Sequence, residues 1–169
     1  MLQVNFPQRT LAPRVRVLLR RRLRPAAALK AGAVAGAIAL LLLQFFAVVV
    51  YDESPWKLLR MIAALARGPG VLEPDDEFDA AIVAIGVTLH FALALLYALP
   101  LAGLVADAPR RHAYAVGLAF GIALYFANFY GFTALFPWFA SHRTVDTLAI
   151  HALFGLSAAK LYWLFRRVR

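Results

Sequence analysis

The chain has 169 residues, is 63% hydrophobic, and carries 18 Lys and Arg against 9 Asp and Glu, a formal charge of +9. It contains no cysteine, which excludes a disulfide framework, a thiolate metal site and cysteine nucleophilic chemistry. So apolar a chain of this length leaves no room for a separate soluble domain and points to a one-domain bilayer protein.

Residues 1–30 contain no acid, and Arg14 to Arg24 interleave arginines with Leu and Val. This stretch reads as a basic cytoplasmic tail that fixes orientation. A basic amphipathic helix on an anionic leaflet or a mitochondrial presequence has a similar pattern. A cleaved signal peptide fits poorly, because the apolar run that follows is too long for one and ends without a small-residue cleavage site.

Four hydrophobic stretches, 31–51, 80–105, 113–138 and 145–165, each hold the ~20 residues that cross a ~30 Å hydrocarbon layer. The expected fold is an all-α four-transmembrane-helix bundle. With the amino terminus inside, fourteen Lys and Arg fall on the inner side and four (Lys57, Arg60, Arg67 and Arg143) on the outer. By the positive-inside rule both termini face the cytoplasm. The high pI thus reports orientation, and no nucleic-acid partner is needed to explain it.

Between the first two spans, Ser54-Pro55 starts a short amphipathic helix over about 55–67, which Gly68-Pro69-Gly70 stops. It suits the outer bilayer interface, with Trp56 as an anchor matched by Trp138 later in the chain. The alternative is a lid over the bundle mouth, which would use the same apolar face. The acidic run from Glu73 to Asp79 lacks the glycine and terminal glutamate of a calcium loop, so it reads as a solvated loop whose last acids favour a helix amino terminus.

Small residues mark the packing faces. Gly32 and Gly36 in the first span, and Gly117, Gly121 and Gly131 in the third, fall at spacings that let helices approach closely, as do Gly86 and Gly155 beside the histidines of the second and fourth. Thr144 is a plausible cap for the fourth span, ahead of Asp146.

Each span carries one strongly polar side chain: Gln44, His90, Asn128 and His151. At ~1.5 Å per residue these fall in one slab less than ~10 Å thick. Unpaired polar groups in hydrocarbon cost several kcal/mol, so the four are expected to face one another inside the bundle. The segment Ile38 to Phe46 aligns without a gap to Ile122 to Tyr130, pairing Gln44 with Asn128, and Pro55-Trp56 mirrors Pro137-Trp138. This suggests two tandem helical hairpins of the same orientation, with Gln44 approaching His90 as Asn128 approaches His151.

The motifs Leu89-His-Phe-Ala-Leu, Asn128-Phe-Tyr-Gly-Phe and Phe136-Pro-Trp-Phe-Ala resemble those of small four-span bacterial inner-membrane proteins, some labelled sodium:proline symporter, and the layout is similar to YagU-like proteins. The resemblance implies a bacterial inner membrane and four helices. It carries over no sodium or proline site, because genuine sodium:solute symporters need many more helices and broken spans.

The expected function is that of a small transporter, channel-like or proton-coupled component using the polar tier. The alternative is a non-catalytic structural, assembly or stress-related membrane protein, in which the tier only fixes helix register. A third reading has His90 and His151 ligating haem b. No catalytic or metal site is expected; the partners expected are the lipid bilayer and a homo-oligomer.

Overall fold

A computed structural model describes residues 23–167. Most of the expected basic tail lies outside this range. The rest of it does not stay a tail: α1 (Pro25–Phe45) begins six residues earlier than the apolar run implies, with Pro25 in its first turn and alanines behind it. Proline suits that position because its missing N–H would be unbonded there anyway. α2 (Lys57–Arg67), α3 (Ala80–Val105), α4 (Arg110–Phe126) and α5 (Val145–Phe165) follow in order. Pro25–Val50, Ala80–Val105, Arg110–Ala134 and Val145–Phe165 are each long and apolar enough to cross a membrane. The chain is a multi-pass, all-α membrane protein built on a four-helix bundle.

Local chemistry sets the helix starts. The Asp79 carboxylate accepts hydrogen bonds from the backbone N–H groups of Ala81 and Ile82 at 2.9 and 3.1 Å, so α3 begins directly after the acidic run. Asp79→Ala should cost about 1 kcal/mol of stability, as losses of such caps typically do, read as a shift in the unfolding midpoint. Thr144 caps α5 through the N–H of Thr147. Ser54 does not cap α2 directly. Its hydroxyl accepts from the N–H of Trp56 and donates to the carbonyl of Asp75, and the helix starts at Lys57.

Small residues dictate the packing. In an α1–α3 hairpin, a Cβ on Gly32 would stand 2.6 Å from the Ala98 Cβ, and one on Gly36 would stand 2.7 Å from the Ala94 Cβ. In an α4–α5 hairpin, a Cβ on Gly117 would stand 2.6 Å from the Ala159 Cβ, while Gly121 abuts the carbonyl of His151, and Gly155 lies against Gly117 and Gly121. The registers correspond. His90, Ala94 and Ala98 run along α3 as His151, Gly155 and Ala159 run along α5, each series facing two glycines four residues apart. The first helix of each hairpin also widens into a π-helical turn at the same end, over Phe46–Val50 after α1 and Ala127–Gly131 after α4.

The hairpins join where α1 packs along α5. At the base of the bundle, where α1 starts and α5 finishes, the Arg24 guanidinium donates to the carbonyl of Arg166 at 2.6 Å, and that of Arg166 donates to the carbonyl of Ala106 at 2.5 Å. Ala28, Val105, Ala113, Ala159 and Tyr162 make a tight buried core there. A twofold relation between the hairpins would make α3 pack on α4 as closely as α1 packs on α5. It does not: α3 and α4 touch little beyond their connecting turn, and α2 packs on α3 at the opposite, cap end.

The large exposed apolar side chains, among them Leu41, Leu96, Leu104 and Leu135, point outward around the bundle, as lipid-facing residues of a membrane protein do.

An apolar chamber beneath α2

The sequence reads the helix between the first two spans as lying at the outer interface, with a lid over the bundle mouth as the alternative; in the fold α2 packs over the end of the bundle, as the alternative describes. Seven consecutive residues, Leu58 to Ala64, are buried, so for two turns α2 is covered on every side instead of lying half-immersed at an interface. Three contacts hold it. The backbone of Leu59 lies directly on Gly86 of α3, where any side chain would collide with it. The Trp138 indole N–H donates to the carbonyl of Met61 at 3.1 Å. The guanidinium of Arg60, only 5% exposed, donates to the carbonyls of Val71 and Glu77 at 3.1 and 2.7 Å. Trp138 is thus a lid contact, and Trp56 packs on Phe78 with ring centroids 4.8 Å apart.

Beneath the lid, where α3 and α4 diverge, lies a chamber of about 380 Å³ walled by α2 and by all four spans. Its surface is mainly Leu, Ala and Phe, with Phe129, Phe132, Phe136 and Phe139 on the α4 side. His90, Tyr97, Asn128, His142 and His151 supply the polar points. Few fixed polar groups on an apolar wall is the usual make-up of a small-ligand pocket.

The polar groups are oriented by the protein. A carbonyl oxygen can only accept, so His90 donates its Nε2–H to the carbonyl of Gly36 at 2.9 Å, tying α3 to α1. His151 donates its Nδ1–H to the carbonyl of Thr147, one turn back on its own helix, at 2.8 Å. The two imidazoles are therefore held in opposite tautomers, and the Nε2 of His151 remains an acceptor. The Tyr97 hydroxyl donates to the Asn128 Oδ1 at 2.9 Å across the gap between α3 and α4, leaving the amide NH₂ as a donor. A π-helical turn carries Asn128, a local widening that often accompanies functional sites.

Three of the four expected tier residues, His90, Asn128 and His151, line this one chamber. Gln44 does not. Its amide NH₂ donates to the carbonyl of Pro55 at 2.8 Å, and the side chain holds the linker to α2 instead of approaching His90. Asn128 meets Tyr97 and not His151. Gly131, expected on a packing face, has nothing within 4 Å of where a Cβ would be. The π turn explains this, since its wider pitch rotates Gly131 away from the phase that 100° per residue assigns. The haem reading fits the geometry poorly. His151 has the arrangement of a ligand, with Nδ1 on a carbonyl and Nε2 free, but the Nε2 of His90 is committed to α1.

Residues given no role in the sequence reading complete the site. The Arg143 guanidinium lies 4.5 Å from the Tyr130 ring centroid and donates to the carbonyl of Phe129 and the hydroxyl of Thr133, closing the frayed end of α4. A cation there complements the unpaired carbonyls of a helix terminus. His142, in the 3₁₀ segment Pro137–His142, also lines the chamber. Burial lowers its affinity for a proton below that of an ordinary histidine. The unfolded chain then binds the proton more readily than the folded one. Stability should be fully present above pH ~6.5 and fall as the pH drops below it. A series of unfolding midpoints from pH 8 to 5 should show this slope, and His142→Gln should make it shallower.

No family model, curated protein or solved structure matches the chain, so the resemblance to small inner-membrane proteins rests on its quoted motifs alone.

Proposed function

We propose that the chain is a small transport component of a bacterial inner membrane, with its base cytoplasmic and α2 on the far side. In this reading the chamber takes up a solute with a mainly apolar body and one hydrogen-bonding group, and α2 is its lid. The observation that carries this is the chamber itself, in which the Asn128 NH₂ and the His151 Nε2 face the space with no protein partner among the described residues. The His151 Nε2 can accept either a hydrogen bond from the solute or a proton, so the two would compete there.

The rival reading, a purely structural tier, draws on the bond from His90 to Gly36, which joins two helices and needs no ligand. Saturable fluorescence of N-phenyl-1-naphthylamine separates the two, with the protein in nanodiscs and empty nanodiscs as baseline. We expect saturable binding by the parent, about tenfold weaker in His151→Leu because one hydrogen bond is worth about 1 kcal/mol or slightly more. Binding should be weakened by Leu93→Trp, whose larger side chain intrudes on the chamber. No saturable signal in the parent, or undiminished binding in Leu93→Trp, would overturn the transport reading.

A further inference from the structure

The chamber has a neighbour. A second cavity of about 260 Å³ lies at the cap end and shares Leu43, Leu58 and His142 with the chamber as a common wall. Its character is different. Tyr51, Glu53, Ser141, Thr144, Asp146 and Thr147 line it, bringing two carboxylates and several hydroxyls to one small space. Among the described residues, neither cavity has a Lys or Arg in its lining. Lys57 is drawn onto Glu53 at 2.8 Å, and Arg143 is held on Phe129, Thr133 and the face of Tyr130.

The state of the carboxylates decides what this cavity can hold. One oxygen of Glu53 is occupied by Lys57, which offsets its charge. The Asp146 Oδ1 accepts from the Tyr51 hydroxyl at 2.6 Å, a neutral partner that leaves the charge in place. Asp146 therefore gives the cavity a net negative character. A carboxylate or phosphate head would be repelled there, and a neutral head would gain nothing over what the chamber offers. A positive head would be attracted by Asp146 and surrounded by hydroxyl acceptors. Beyond the shared wall, in the chamber, stand Phe129, Phe136 and Phe139, whose bulk suits an apolar body.

We infer that the two cavities form one site for an amphiphilic amine, its ammonium head beside Asp146 and its apolar body in the chamber. This rests on the proposed function and names the class of solute. To occupy both, the ligand must pass between the two leucines and the imidazole of the shared wall, so it must be narrow where head meets body.

Three probes with the same arm and different heads test it: 4-phenylbutylammonium, 4-phenylbutanol and 4-phenylbutyrate, titrated calorimetrically into the protein in nanodiscs. The amine should bind at least tenfold tighter than the alcohol, and the carboxylate most weakly. Asp146→Asn should bring the amine to within about twofold of the alcohol while leaving the alcohol unchanged. Tyr51→Phe, which removes the neutral partner and keeps the carboxylate, should retain the amine preference. It also shows whether losing the tie between Tyr51 and Asp146 is by itself disruptive. Leu93→Trp, which narrows the chamber, should weaken all three. If amine and alcohol bind alike and Leu93→Trp weakens both, the cationic class is wrong and the chamber reading stands. Amine binding that Asp146→Asn leaves untouched overturns the inference, and binding of none of the three overturns both.

Discussion

Gly155→Val should abolish the native α4–α5 hairpin, the largest single loss expected anywhere in this chain. A Cβ at residue 155 would stand 2.7 Å from the amide nitrogen of Gly121 and 2.9 Å from its Cα, and would also meet the carbonyl of Gly117. Every one of these is backbone, so no rotamer change relieves the clash and the helices must separate. Lipid chains are as apolar as the side chains that line them, so helix association in a bilayer depends on close van der Waals contact. Separating the helices removes it along the whole hairpin. We expect a loss of at least ~3 kcal/mol, at the upper end of overpacking costs. Titration with sodium dodecyl sulfate, following helix content, should give a much lower midpoint or no folded baseline. Gly131→Val is the control. Nothing lies within 4 Å of its would-be Cβ, and its midpoint should stay within about 0.5 kcal/mol of the parent.

The four spans were legible because apolar length is a strong signal, and the glycine pairs because a spacing of four keeps residues on one helix face. Of the polar tier, His90, Asn128 and His151 were legible and Gln44 was not. Counting at 100° per residue places His90 and His151 well, but it fails for Gly131 once the π turn over Ala127–Gly131 changes the pitch. Gln44 occupies the position equivalent to Asn128, yet α2 follows its hairpin arm closely and the Pro55 carbonyl captures the amide. The lid could not be chosen over the interface because both bury the same apolar stripe of α2. What distinguishes them is the burial of Arg60, and Arg60 keeps the same helical phase as the exposed Arg67. The chamber was not legible at all. It arises from the divergence of α3 and α4, a departure from the duplicated pattern that no single stretch of sequence encodes.

Arg60 sets how firmly the lid is held, and its removal should give the second large effect. The guanidinium is 5% exposed, its Nε has no partner, and among the described residues no carboxylate lies within ion-pair distance. Burying a charge this way costs several kcal/mol, which its two carbonyl bonds must offset. Hydrogen bonds involving a charged group contribute about 1.5–3 kcal/mol each. Two such bonds outweigh the penalty only if the geometry holds both, as the planar fork of arginine does between Val71 and Glu77. Arg60→Lys, a single ammonium, cannot span them. Arg60→Met should therefore loosen α2 by about 2 kcal/mol and Arg60→Lys by nearly as much. Hydrogen exchange of the amides from Leu58 to Ala64 should accelerate roughly tenfold or more, since 1.4 kcal/mol is a factor of ten, while α4 and α5 exchange unchanged. Slower exchange in Arg60→Met would mean that burying the guanidinium costs more than its two carbonyl bonds return. Faster exchange confined to α2 would identify the lid as a separately opening unit, with Arg60 and its two carbonyls as one of the ties that hold it shut.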